Sequence, residues 1–250
     1  MQQFTPAVWQ SWERFYRANF INSLTGFKSA SLIGTINAEG VPNLGMFSSM
    51  VHIGSDPALI GYINRPVAAA PHTLANIKAN GFYTINHIHA NFLDKAHQTS
   101  AKYPDEVNEF TEVGLTEEYL DGVQVPFVKE SHIKYLLSLK EIVPIQLNDT
   151  FLVIGQLEQV FIDPSLRPTT DGFLHLDQAG TICSNGLDAY YNTTLIDRFA
   201  YAKPGKSAVT NTAAVFLMST RAAVAACSKS VNGPSMRTPI CESMAFMLCV

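Results

Sequence analysis

The sequence predicts a mainly β protein with flanking helices, in which an antiparallel barrel has its helices outside. The predicted strands follow one another through short turns, and few helices stand between them. Antiparallel strands can be joined by tight turns, whereas parallel strands need long crossovers, so this order favours a barrel over a doubly wound sheet. No G-x-G-x-x-G follows a predicted strand, and neither a P-loop nor a G-x-S-x-G elbow occurs in the sequence.

An amphipathic helix is predicted first, over residues 6–24. Large apolar residues recur about one helical turn apart, and Pro6 suits the first turn of a helix. The apolar members are Trp9, Trp12, Tyr16, Phe20 and Leu24. An aromatic stripe of this kind is more often core than ligand site, so we expect it to face the core.

Strand signals dominate the region that follows. Two strands joined at "NAEG" are predicted over 30–54, and single strands at "PALIGYIN" and "GFYTINHI". Two long strands joined at "QLND" are predicted over "VPFVKESHIKYLLSLKEIVPIQL" and "DTFLVIGQLEQVFID". Residues 92–103 are predicted to be helical, and residues 104–120 to contain short helices.

The stretch "PHTLANIKANGFYTIN", residues 71–86, predicts a short helix that runs into a strand. Pro71 opens this helix, Thr73 is a suitable N-cap, and Gly81 suits a left-handed C-cap. The start of a helix is also an anion site, because its N–H groups lack partners and carry the positive end of the dipole. Thr73 and Asn76 would add donors there. Capping and anion binding are both open from these residues alone.

Composition and charge narrow the class of protein. The chain has 250 residues and a net charge of −4, and no cluster of Lys and Arg argues for a nucleic acid partner. Charged residues near the N-terminus argue against a secretory hydrophobic region, and no apolar run approaches the ~18 residues that a membrane span needs. We therefore expect a cytoplasmic protein without a membrane partner.

The last 45 residues differ from the rest. The segment 206–250 carries a net charge of +3 against −7 for the remainder, and it holds three of the four cysteines. We place a boundary near residue 205, after "YAKPGK", with residues 1–205 as one domain. The segment 206–250 has few aromatic residues and no regular apolar stripe, so we expect it to pack loosely. No C-x-x-C pair occurs, so a zinc or redox motif has no support.

Three histidines are candidate metal ligands. In "NHIHANFLDKAH", His87 and His89 fall on one face of a strand and His97 lies beyond it. Two histidines at i and i+2 are a weak signal, and no carboxylate stands close enough to complete a set. The sequence therefore does not predict a metal site.

Several stretches together resemble the flavin reductase-like family. They are "NLGMFSSMVHIGSDPALIGYINRP", "HTLANIKANGFYTIN", "KAHQTSAKYPDEVNEFTEVGLT" and "GLDAYYNTTLIDRFAYAKPGK", in this order. The likeness runs from about Ala30 to Lys206 and leaves the tail without a counterpart. It implies an antiparallel split β-barrel that binds FMN, similar in fold to pyridoxamine-phosphate oxidases.

The resemblance implies where the flavin ring would lie. In such proteins the strand pair corresponding to "NLGMFSSM" runs along the isoalloxazine, so the backbone of Phe47, Ser48 and Ser49 would face the edge of the ring. Asn43 would be a neighbour of the ribityl chain or the ring. The alternative is that the two serines face out of an ordinary strand.

The resemblance also implies the phosphate end. The "HTLAN" turn would hold the phosphate through Thr73 and Asn76, and Arg65 would add charge and a forked donor; an exposed arginine at a strand end is the alternative. Lys95, Ala96 and Ser100 match the next stretch of the family that contacts the cofactor. A cation such as Lys95 near the N1–C2=O edge would stabilise the anionic reduced flavin.

The implied activity is hydride transfer from NADH or NADPH to flavin N5, followed by electron delivery to a second acceptor or to free flavin. The resemblance also implies a homodimer, for which the N-terminal helix offers an aromatic surface. Two alternatives stay open: an electron-transfer FMN flavoprotein without nicotinamide activity, and a non-enzymatic barrel that binds a different ligand.

Overall fold

The structure is a computed structural model and describes residues 1–210. Its helices are α1 (Pro6–Gln10), α2 (Arg14–Leu24), α3 (Pro71–Asn80), α4 (Leu93–Gln98) and α5 (Glu109–Val113), with a 3-10 turn over Ala90–Phe92. The strands are β1 (Lys28–Ser29), β2 (Ser31–Ile36), β3 (Pro42–Phe47), β4 (Met50–Ser55), β5 (Ala58–Asn64), β6 (Phe82–His87), β7 (Glu117–Glu118), β8 (Phe127–Val128), β9 (Ile133–Ile145), β10 (Thr150–Ile162), β11 (Ile182–Asn185) and β12 (Ala189–Asn192).

Seven strands form one antiparallel sheet in the order β3-β2-β6-β9-β10-β5-β4. The two edge strands, β3 and β4, are consecutive in the chain and are joined by only Ser48 and Ser49. Since two residues cannot span the width of an open seven-stranded sheet, the sheet must curl until its edges meet. The predicted antiparallel barrel with flanking helices is confirmed, and its split lies between β3 and β4.

Strand β2 shows how the barrel separates two cores. Leu32 belongs to a cluster on one face of the sheet together with Phe92 and Phe110, whereas its neighbour Ile33 belongs to a second cluster. Consecutive side chains of a strand point to opposite faces, so a strand buried on both faces has no polar alternation. The second cluster includes Leu74 and Ile77, and helix α3 therefore packs against the barrel with the face that the sequence predicts.

The N-cap of helix α3 lies three residues earlier than predicted. Pro71 occupies the first helical turn and Ala70 is the N-cap residue, without a side-chain hydrogen bond. The prediction that Thr73 is the N-cap is therefore wrong: Thr73 lies inside the first turn, and its hydroxyl donates to Asn43 Oδ1 over 3.1 Å. Proline is tolerated at this position because its missing N–H would have no partner anyway. The left-handed C-cap at Gly81 is confirmed, with φ of 75°.

The N-terminal helix also differs from its prediction. Two helices replace the single helix over 6–24, and Glu13 caps the second by accepting from the N–H groups of Phe15 and Tyr16. No residue of either helix is buried, so the expectation that the aromatic stripe faces the core is wrong. The rings pack on one another instead: Trp12 lies 5.0 Å from Tyr16 and 4.9 Å from Phe20, edge to face.

Other boundaries shift by a few residues. The predicted second strand of 30–54 is two strands, because it is interrupted at Ser48 and Ser49. The helix predicted over 92–103 ends at Gln98. The long strand predicted from Val125 begins as the short β8 and resumes as β9.

A compact unit spans Met1–Thr194, and a second unit begins at Leu195. In the second unit, within the part that the structure describes, Phe199 and Thr210 form a single antiparallel bridge. The boundary near residue 205 stays a prediction, and the expected loose packing of 206–250 falls largely on residues 211–250, outside the described residues. None of the helices within residues 1–210 has the length and apolar character to cross a membrane.

Candidate functional site

A cleft of about 560 Å³ opens at the split of the barrel, where β3 passes into β4 and faces the start of α3. Seven of the residues that the sequence singles out line this cleft: Asn43, Phe47, Ser48, Ser49, Arg65, Thr73 and Ser100. They come from four separate parts of the chain. The fold therefore brings the "NLGMFSSM", "NRP", "HTLAN" and "KAHQTS" stretches to one place.

One wall of the cleft is formed by the end of β3 and by the link from β3 to β4. A Cβ atom on Gly45 would lie 3.1 Å from Phe47 Cε2 and 3.4 Å from Thr73 Oγ1, so any side chain there would project into the cleft. Beyond it, the carbonyl of Ser49 accepts from Ile63 N over 3.1 Å, while the N–H groups of Ser48 and Ser49 have no acceptor among residues 1–210. Two adjacent N–H donors of this kind suit the polar edge of a ligand.

The other end of the cleft is suited to an anion. The N–H groups in the first turn of α3 have no partner within the helix, and they carry the positive end of its dipole. Arg65 and Lys102 also line the cleft, and Lys102 Nζ donates to Ala68 O, close before the start of α3, over 3.3 Å. His72, the second residue of α3, contacts Asp105 with Nδ1 and Oδ1 3.2 Å apart.

A buried hydrogen-bond network forms the floor between these two ends. Asn43 is its centre: its Oδ1 accepts from Thr73 Oγ1 and from Thr35 Oγ1 at 3.1 and 3.2 Å. Its Nδ2 donates to Glu109 Oε1 over 2.6 Å. The second oxygen of Glu109 accepts from the backbone N–H of Leu44 over 3.1 Å. The network thus ties α5, β3, β2 and α3 together beneath the cleft.

Glu109 is the residue that sequence reasoning missed. It lines the cleft, yet only 5 % of its surface is exposed. Burial raises the pKa of Glu109 to about 7, against the opposing effect of the hydrogen bonds from the backbone and Asn43, and the nearby charge of Asp105 adds to the rise. The apolar pattern of "NEFTEV" gives no sign of this, because glutamate is rarely buried.

The structure does not bring three of the predicted residues to the cleft. Asn76 is buried one turn further along α3 and donates to Thr35 Oγ1 over 3.1 Å, so it supports the network from behind. Lys95 donates to Gly114 O over 2.7 Å, and Ala96 is fully buried in the core that contains Phe110. A direct role for these three residues in ligand binding stays a prediction.

The three histidines occupy separate environments. His87 Nδ1 contacts Thr181 Oγ1 at 3.3 Å, and His97 Nδ1 contacts the hydroxyl of Tyr190 at 2.7 Å. His89 stacks on His132 with ring centroids 4.3 Å apart. Within residues 1–210 no three His, Cys, Asp or Glu side chains are grouped so as to hold a metal ion.

Comparison with known proteins identifies the family. Residues 27–182 match the family model of the flavin reductase like domain. A candidate flavin reductase with a split barrel domain from Shewanella frigidimarina NCIMB 400 is 43% identical, with a TM-score of 0.78 over 81% of this chain and 100% of that chain.

Two further solved structures share the fold. Component B of nitrilotriacetate monooxygenase from Bacillus cereus is 18% identical, with a TM-score of 0.68 over 78% of this chain and 96% of that chain. Flavoredoxin of Desulfovibrio vulgaris (Miyazaki F) is 21% identical, with a TM-score of 0.60 over 73% of this chain and 93% of that chain. Together with the split barrel and its cleft, the family match over 27–182 shows that this chain belongs to the flavin reductase-like family of flavin-linked oxidoreductases.

Proposed function

We propose that this protein is an FMN-dependent oxidoreductase that takes electrons from NADH or NADPH. The observation that carries the proposal is one cleft with two unlike ends, a helix start and a strand link whose N–H groups have no acceptor among residues 1–210, with Arg65 and Lys102 also in its lining. A flavin mononucleotide has the same two ends, a phosphate dianion and a planar ring with a polar edge. A ligand that ends in one phosphate fits the one anion end better than a dinucleotide does.

The phosphate end is assigned to the first turn of α3 and to Arg65. Backbone N–H groups at a helix start and a guanidinium fork are strong donors to phosphate oxygens. Thr73 and Ser100 line the same cleft, and in this proposal their hydroxyls would face the phosphate. Asn76, Lys95 and Ala96 have no direct contact in this proposal.

The ring end is assigned to the link between β3 and β4. The backbone of Ser48 and Ser49 would donate to the polar edge of the ring, Phe47 would pack beside it, and Asn43 would lie near the ribityl chain. When bound, FMN supplies a hydride acceptor at N5 and passes the electrons on, while the protein orients and tunes it. Bare backbone at Gly45 leaves room for close approach along the strand.

Anaerobic mixing with each nicotinamide tests the activity. Purified protein loaded with FMN is expected to lose its yellow colour when NADH or NADPH is added, and to regain it with an electron acceptor. Bound FMN that neither nicotinamide bleaches would identify an electron-transfer flavoprotein instead. A colourless protein that takes up no added FMN would show a barrel that binds some other ligand.

Replacing Arg65 with alanine is expected to weaken FMN binding about tenfold to thirtyfold, close to the 1.5–2 kcal/mol of a charge-assisted hydrogen bond. Riboflavin, which has no phosphate, should bind equally well to both proteins. Isothermal titration with the two ligands measures the difference, and Arg167→Ala, which does not line the cleft, is the matched control. An equal loss for riboflavin would place Arg65 in the fold and not at the phosphate.

We also propose a cytoplasmic location, because reduced nicotinamides are present there. The reducing medium of that compartment also suits the free thiol of Cys183.

We further propose that the protein is a homodimer. The N-terminal helices leave large apolar side chains in water: Phe15 is 69 % exposed and Leu24 is 67 % exposed. Exposed apolar surface on this scale marks an interaction site. Phe15→Glu with Leu24→Glu is expected to convert a dimer into a monomer in light scattering after size exclusion, and an unchanged mass would remove these helices from the interface.

A further inference from the structure

A hydrogen-bond chain connects the buried carboxyl of Glu109 to Thr73 in the first turn of α3. Thr73 Oγ1 donates to Asn43 Oδ1, and Asn43 Nδ2 donates to Glu109 Oε1. We propose that Glu109, when its carboxyl is protonated, makes the anion end of the cleft selective for a flavin that bears a phosphate. Binding of the phosphate then takes up one proton at this carboxyl. This inference rests on the proposed function and concerns the same cleft.

The ionised carboxylate sets the direction of the chain. Both oxygens of Glu109 accept, one from Asn43 and one from the N–H of Leu44. Asn43 must then turn its oxygen toward Thr73, and the single hydroxyl hydrogen of Thr73 is used for that bond. In this state Thr73 offers only lone pairs to the cleft, and a buried negative charge lies behind it. Both effects oppose a phosphate dianion at the start of α3.

Protonation reverses the chain. A proton taken from solvent onto Glu109 Oε1 allows the carboxyl to donate to Asn43 Oδ1 once the amide of Asn43 has flipped. The two N–H groups of the flipped amide can then donate to the hydroxyl oxygens of Thr35 and Thr73. These oxygens lie 3.2 and 3.1 Å from the present position of Asn43 Oδ1. Thr73 becomes an acceptor from Asn43, and its own hydrogen is released to donate to a phosphate oxygen. The new O–H bond on Glu109 replaces one that breaks on the solvent acid supplying the proton, and every other change is a rotation or an exchange of hydrogen bonds.

The surroundings of Glu109 place this change near neutral pH. Burial has the largest effect on this carboxyl and raises the pKa of Glu109 to about 7. Strand β3, which packs on α5, carries no charged residue that would offset it. The charged or titratable groups on the neighbouring elements and loops are Arg65, His72, Lys78, Asp94, Lys95, His97, Lys102, Tyr103, Asp105, Glu106 and Glu112. A phosphate dianion at the start of α3 would raise the pKa of this carboxyl further, because like charges disfavour ionisation. The phosphate itself is about nine-tenths dianionic at pH 7 and more so above it, since its second pKa is about 6.

The experiment compares FMN with riboflavin between pH 7 and 9. For the wild-type protein, the ratio of FMN affinity to riboflavin affinity is expected to fall by up to about tenfold per pH unit, the limit for one linked proton. For Glu109→Gln, whose neutral amide can take the same flipped arrangement, the ratio should stay constant over this range. Glu112→Gln, exposed on the same helix, should behave as the wild-type protein.

Proton uptake gives a second measurement that needs no variant. Titration of wild-type protein with FMN at pH 8, in two buffers of different ionisation heat, should show uptake approaching one proton, and titration with riboflavin should show none. Tight FMN binding with a pH-independent ratio and no proton uptake would overturn this inference and leave the proposed function standing. Absence of binding for both flavins would overturn both.

Discussion

Replacing Ser49 with proline is expected to lower the affinity for flavin at least about a hundredfold, close to 3 kcal/mol. The N–H of Ser49 has no acceptor among residues 1–210, and it lies in the two-residue link that lines the cleft. Proline removes this donor and places its ring where the edge of the flavin would lie. It leaves the carbonyl of Ser49 able to accept from Ile63, so the closure of the barrel at this point is kept.

Two controls separate binding from folding in this experiment. Ser49→Ala keeps the N–H and removes only the hydroxyl, so it should bind flavin within about twofold of the wild-type protein, since no hydrogen bond of that hydroxyl is seen among residues 1–210. The thermal midpoints of all three proteins should agree within a few degrees. A fully loaded Ser49→Pro protein would show that the flavin ring does not depend on this backbone donor.

The periodicity of apolar residues and the residue types at turns predict most of the fold from the sequence. The hairpin of β9 and β10 is visible because two long, mainly apolar segments flank the short turn "QLND", and the helix end at Gly81 is visible because only glycine adopts that φ at no cost. These signals are local, because they depend only on residues that are close together in the chain. The structure contains the hairpin and the helix end that they predict.

The site depends on contacts that are not local, and there the sequence fails in two instructive ways. Glu109 contacts Asn43, which lies 66 residues earlier, and a single sequence contains no signal of that pairing. The stripe of Trp12, Tyr16 and Phe20 reads as a core helix because periodicity reports that one face is apolar, but not what covers that face. In this chain Trp12 packs against the rings of Tyr16 and Phe20, while Tyr16 and Leu24 stay largely exposed.

Thr73 shows a third way in which a local signal can mislead. Thr73 is a good N-cap residue by type, and the sequence offers a helix after it. The fold places Thr73 inside the first turn because Pro71 can begin the helix, and the hydroxyl is then available to Asn43. A residue that looks like a cap has become part of the floor of the cleft.

Replacing Gly34 with alanine is expected to destabilise the barrel by about 3 kcal/mol, at the upper end of overpacking in a buried site. Gly34 lies in β2, and a Cβ atom there would meet Thr84 Oγ1 at 2.6 Å and the carbonyl oxygen of Pro126 at a shorter distance still. Those two atoms already share a hydrogen bond of 2.7 Å. Neither backbone nor a bonded hydroxyl can move aside as the end of a flexible side chain would.

The expected fall in thermal midpoint is about 6–12 °C for a chain of this size, measured by calorimetry or circular dichroism. Gly54→Ala is the matched control, because the nearest atom to its Cβ is Pro57 O at 3.3 Å and β4 lies at the edge of the sheet. It should lower the midpoint far less. If both variants melted together, the close approach of β2 to the segment around Pro126 would not be a constraint on this barrel. Because β2 connects β3 and β6, loosening it would also disturb Asn43 and the cleft, so Gly34→Ala should lose flavin affinity before it loses the fold.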